Sequence, residues 1–140
     1  MTVHLVAFLR ARLDEDEQTA RAAQPAPWVR HDHVAGVHAN DATDERPYGS
    51  AVADCRRVPG GYGVTNAEHI VRHQPARVLA DVAARRAVLD LYEEPEASDA
   101  LPDSVNRFTS SIQRHVIGEV LPHLALPYAD HPDYREEWRP

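Results

Sequence analysis

The sequence predicts an α+β fold, a small antiparallel sheet packed against about four helices. Apolar residues recur at helical spacing near both ends of the chain and through its centre. Between residues 28 and 64 that period gives way to short runs rich in Val and Ala, punctuated by Pro and Gly. At 140 residues and 43% hydrophobic, the chain has the length and apolar content of one domain, 1–140.

The first helix is expected from about Val3 to Ala23, with Thr2 as its N-cap. Val6, Leu9, Leu13 and Ala20 repeat at helical spacing, and Leu5 and Phe8 widen the stripe. The acidic run Asp14–Glu17 interrupts it and reads as a solvated face; Glu17 and Arg21 are spaced to pair at i,i+4. Pro25 and Pro27 end the helix and lead into Trp28. Trp28–Arg30, Val34–Val37 and Ser50–Cys55 read as short strands, with Asn40–Gly49 a polar loop. Pro59-Gly60-Gly61 signals a hairpin turn between Arg57-Val58 and Tyr62-Gly63-Val64. A sheet this small needs a helix across one face.

Thr65 and Glu68 have capping-box spacing and open a short helix, Asn66–His73. Pro75 suits the first position of the next helix, which runs to about Tyr92, with Gln74 near its cap. Val78, Val82, Leu89 and Tyr92 line one side of it; Val88 and Leu91 form a second strip, a candidate homodimer face. Residues 93–104 are acidic and almost free of large apolar side chains, the composition of a mobile linker. The fourth helix starts at Asp103 or Ser104 and carries the stripe Val105, Phe108, Ile112, Val116 and Val120. Pro122 and Pro127 are expected to kink or end it. Residues 127–140 form an aromatic tail, with Tyr134 and Trp138 one helical turn apart.

Composition narrows the function classes. All 15 cationic side chains are Arg against 22 Asp and Glu, a net charge of −7. With a pI near 5.6, the chain lacks the basic footprint of a nucleic-acid binder. Cys55 is the only cysteine, so neither an intramolecular disulfide nor a thiolate metal cage forms within the chain. No apolar run reaches the length of a membrane span, and the N-terminus lacks the pattern of a signal peptide. A soluble cytoplasmic protein is the expectation, with no nucleic-acid or membrane partner.

Three stretches resemble known sequences. His69 to Leu79, the opening helix, and the ending Ala125-Leu126-Pro127-Tyr128-Ala129-Asp130-His131-Pro132-Asp133-Tyr134-Arg135-Glu136-Glu137-Trp138 resemble a family of short actinobacterial proteins classified only as a domain of unknown function. The likeness covers both ends and the central helix pair, and its ending is the most specific part. A more distant likeness, through Pro25-Ala26-Pro27-Trp28 and His73-Gln74-Pro75, is to accessory proteins of temperate phages. Together these imply an accessory or mobile-element setting. They supply no catalytic residue, cofactor or substrate.

Nine histidines raise the question of metal. His69 and His73 stand at i,i+4, the spacing with which a helix presents two imidazoles to zinc. Glu68 precedes them rather than lying between them, so the metalloprotease helix pattern is not met. His115, Glu119 and His123 follow i, i+4, i+8 on the last helix. The competing explanation for both sets is capping, surface exposure or a His115–Glu119 hydrogen bond. His31 and His33, flanking Asp32, share one face of a strand, with His38 nearby and no third ligand placed by spacing. Arg85 lies on the apolar stripe between Val82 and Leu89, with Arg86 beside it; each must snorkel, pair within the chain or meet a partner's acid. Cys55 has no His spaced to act as its base, and Ser110 and Ser111 sit in no nucleophile motif. Gly60-Gly61-Tyr62-Gly63 lacks the Lys of a phosphate loop.

The function expected from these residues is a non-catalytic binding or regulatory module for a protein partner. Its candidate surface is Tyr128, Tyr134 and Trp138 with Arg85 and Arg86, residue types enriched at binding hot spots. The other role open to that tail is to dock on its own core. The alternative function is a metal-binding protein or metal-dependent hydrolase, holding zinc or another divalent ion through His69, His73, His115, Glu119 and His123.

Overall fold

The computed structural model describes residues 2–25, 27–31, 34–95 and 97–140. Four helices and one three-stranded antiparallel sheet make an α+β fold. The elements are α1 (Thr2–Ala22), β1 (Trp28–Val29), β2 (Gly36–Ala39), β3 (Ala51–Asp54), α2 (Gly63–Arg72), α3 (Pro75–Glu93) and α4 (Asp103–Ala125). Short 3₁₀ turns occupy Pro59–Gly61, Leu126–Tyr128 and Glu136–Trp138. The chain divides into two compact units, one of Met1–Glu15 with Val82–Pro140 and one of Asp16–Asp81.

In the second unit β2 is the central strand. It pairs with β1 through Trp28↔Ala39 and Val29↔His38, and with β3 through Gly36↔Asp54 and Val37↔Ala53, with a bulge between Val37 and His38. Val37, Cys55 and Ala67 are fully buried together, and Trp28, Val52, Ile70 and Val71 pack around them. The helix across the sheet is therefore α2, and Cys55 is a small buried hydrophobe, the role its sequence context suggests. Beyond β3 the Asp54 carboxylate accepts hydrogen bonds from the Arg56 backbone N–H and guanidinium, which hold it well below the usual carboxylate range.

Two local expectations change. The segment Tyr62–Val64 is not a strand: α2 begins at Gly63, and Pro59–Gly61 is a 3₁₀ turn rather than a hairpin. Gly63 is buried against the Cys55 carbonyl, where a Cβ would come within 2.4 Å of the oxygen, so the start of α2 is set by a close approach that only glycine allows. This earlier start puts Thr65 inside the first turn, and no side chain caps the helix. Glu68 instead faces Arg30, 3.3 Å away. At the other junction the expectation holds. Pro75 opens α3, and the Gln74 carbonyl accepts the Val78 N–H at 3.2 Å, as a helix cap does.

In the first unit, Leu5, Phe8, Leu9 and Leu13 of α1, Val82 and Leu89 of α3, and Leu121 and Ala125 of α4 are buried. Helix α4 continues through Pro122 rather than ending there. The ring forfeits the bond that residue 122 would donate to the Gly118 carbonyl. Leu121 and Ala125, both 0% exposed, anchor the helix on either side of that gap. Asn106 ties the segment ahead of α4, exchanging hydrogen bonds with the Ser98 backbone at 3.1 and 2.9 Å.

Candidate functional site

Helix α4 turns its apolar stripe outward. Val105, Phe108, Ile112, Val116 and Val120 are 38%, 66%, 48%, 57% and 41% exposed, and Leu101 just before the helix is 44% exposed. The opposite face is the one engaged with the fold. From the flank of the stripe Gln113 donates to the Leu91 carbonyl at 3.0 Å, and on the far side the Arg114 guanidinium lies over the carbonyls of Tyr92 and Glu93 at 3.4 and 3.5 Å. These polar side chains satisfy the orphan carbonyls at the end of α3. At 3.6 residues per turn the outward residues cover an arc of roughly 120°, and Arg107 and Arg114 fall on the far side of it. An amphipathic helix normally buries such a stripe; this one is left open to solvent.

Beside α4 lies a cavity of about 430 Å³, lined by Tyr92, Arg114, His115, Glu119, Glu137 and Trp138 among others. His115 and Glu119 thus share one cleft. His123, although on the same continuous helix, is not among the residues lining it. His69 and His73 belong to the other unit. Their rings stack with centroids 4.2 Å apart, and the His73 Nδ1 lies 2.8 Å from the His69 carbonyl oxygen, so one ring nitrogen is already engaged by backbone. His31 and His38 approach each other and Tyr48, at 5.8 and 5.2 Å from the His31 ring; Asp32 and His33 lie outside the described residues. Among the described residues, no three His, Cys, Asp or Glu side chains gather as a metal site requires.

The aromatic tail closes onto α1. The Phe8 ring meets Trp138 at 5.0 Å, His131 at 5.8 Å, Tyr134 at 6.0 Å and Tyr128 at 6.3 Å. Trp138 is 4% exposed. The indole N–H and the Tyr134 hydroxyl are buried without a hydrogen-bond partner among the described residues, so ring packing holds the tail. Arg12, 7% exposed, contacts the His131 ring and donates to Glu15 at 2.7 Å. Arg85 donates to the Tyr128 hydroxyl at 3.2 Å, and Arg86 pairs with Asp14. Four of the five side chains expected to meet a partner, Arg85, Arg86, Tyr128 and Tyr134, are half-buried within the chain, and Trp138 is spent on the core. Arg12 was missed by sequence reasoning. Its signal was its position between Leu9 and Leu13 on the α1 stripe, the same signal that marked Arg85.

A family model matches residues 2–140. The chain belongs to DUF6221, a family of unknown function. No curated protein matches the chain, and no solved structure does. DUF6221 membership spans the tail as well as the helices, so the docked aromatic ending is part of the family's domain. Among the described residues, no helix is long and apolar enough to cross a membrane.

Proposed function

We propose that this DUF6221 chain is a non-catalytic protein-binding module whose contact surface is the outward face of α4. The observation that carries the reading is the exposure of that helix's longer apolar stripe: Phe108, Ile112 and Val116 stand in water while Leu121, Ala125 and Gln113 engage the fold. The six stripe residues leave on the order of 500 Å² of side-chain surface open, at the upper end of what a monomer shows in one patch, and such patches mark interaction sites. The Tyr, Trp and Arg set named from sequence then acts one step back, holding the tail against α1 and α3. The setting we assign, on the sequence likeness alone, is the accessory biology of actinobacteria and their temperate phages; the location we propose is cytoplasmic. Binding of a divalent metal through His115 and Glu119 has less support, since only two ligand-type imidazole or carboxylate groups of that helix share the cleft.

The test is photo-crosslinking in the native host, with a benzoyl-phenylalanine in place of Phe108 and, as a control, in place of Arg56 in the other unit. A discrete protein adduct from position 108 and none from 56 is expected. No discrete adduct from 108, or equal adducts from both, would overturn the reading.

A further inference from the structure

We infer that the partner on the α4 face is a second copy of this chain, the two helices packing antiparallel about a two-fold axis at Ile112. The inference rests on the binding-module reading and adds the identity of the partner. A two-fold interface is self-complementary: the same patch serves both copies. An antiparallel helix pair meets that requirement only if its stripe reads alike in both directions from its centre. The α4 stripe does so across its middle. Counting from Ile112, apolar residues stand four positions away on both sides, Phe108 and Val116; farther out, Val105 comes opposite Glu119 and Val120 opposite Ser104. In the pair, Phe108, the largest and most exposed side chain, falls opposite the smaller Val116, and Ile112 meets itself.

Charge selects the orientation. The one carboxylate within the arc of the stripe is Glu119, between Phe108 and Ile112 on the helical wheel. A parallel pair would set it against its own twin. The antiparallel pair sets it beside Val105 in the first turn of the partner's α4, where the helix dipole favours an anion, while helical spacing turns Asp103 to the inner side. The placement of the arginines disfavours a membrane. An interfacial helix carries cationic residues along the edge of its apolar face, whereas Arg107 and Arg114 lie behind it and the chain as a whole carries −7. Size is adequate as well. The stripe from Val105 to Val120 is about 23 Å long, and on the order of 500 Å² of apolar surface with a polar rim approaches the roughly 800 Å² per partner of a stable interface.

Disulfide trapping tests it, on a Cys55→Ala background because Cys55 is the only native cysteine. Ile112→Cys is expected to form a covalent dimer on mild oxidation, since the two positions meet at the axis within the ~7 Å Cα separation a disulfide spans. Val105→Cys is expected to form none, because antiparallel packing parts it from its twin by about 21 Å. Both sites are exposed in the single chain, and circular dichroism confirms that each variant folds. Failure of Ile112→Cys to cross-link, or equal cross-linking at both sites, overturns the inference. If Ile112→Cys fails while the Phe108 photoprobe captures a different protein, the module reading stands and self-pairing falls; if neither gives an adduct, both fall.

Discussion

Leu5, Leu9 and Leu13 of α1 are 4%, 1% and 1% exposed, whereas Phe108, Ile112 and Val116 of α4 are 66%, 48% and 57% exposed. Both sets recur at helical spacing, and both belong to the same compact unit. Helix α1 is covered by its own chain, through Phe8 and the tail rings, while the equivalent surface of α4 is left open. Helical periodicity specifies that a face must be covered. It does not specify by what. The contrast separates the residues that hold this fold together from those free to serve another molecule.

The largest expected effects fall on the covered helix. Leu9→Ala should destabilise the chain by about 2–5 kcal/mol, read from urea unfolding. At dilutions where the chain is monomeric, Val116→Ala should stay within about 0.5 kcal/mol of the parent. Equal losses from both would erase the contrast and place the α4 stripe in the core. Trp138→Ala should cost about 3–5 kcal/mol, because the ring is 4% exposed against Phe8. A tail variant as stable as the parent would return Trp138 to the list of contact residues.

A smaller effect is expected at the start of α2. Gly63→Ala brings a Cβ within 2.4 Å of the Cys55 oxygen, which backbone cannot easily yield. A loss of about 1–3 kcal/mol is expected, whereas Gly118→Ala, with its nearest neighbour at 3.7 Å on the Tyr92 ring, should fold normally.

Gly63 also marks the limit of what local sequence pattern encodes. Helices α1 and α3 and the Asp103 start of α4 are legible from period, proline and cap residues, because those signals are local. Tyr62–Val64 reads as a strand, because the contact that makes it a helix start is with Cys55, eight positions back, and leaves no trace in local pattern. The tail was legible as a unit but not its destination, since Phe8 and Trp138 are far apart in the chain. The outward turn of α4 does carry a sequence signal. Gly118, Leu121 and Ala125 repeat at three and four on the side opposite Val116, a second short stripe that proves to be the anchored one.

The mildest expected effect is one of pH. Asp41 accepts hydrogen bonds from the Ser50 hydroxyl and backbone N–H, both at 2.6 Å, and these lower its pKa below the ordinary carboxylate value. A depressed folded-state pKa contributes stability that is present above the unfolded value of about 4 and lost as pH falls through the folded value. Asp41→Asn should therefore lower the melting temperature at pH 7, and the gap between variant and parent should close on acidification below about pH 4. A gap that persists unchanged to pH 2 would show that the loop does not depend on this charge.

Sedimentation equilibrium of the parent beside Ile112→Glu addresses the central contrast most directly. The parent should reach twice the 15.6 kDa mass of the chain with rising concentration. Ile112→Glu should remain monomeric while keeping the parent's helical signal. A parent that stays monomeric at every concentration, or an Ile112→Glu chain that unfolds, would contradict the account.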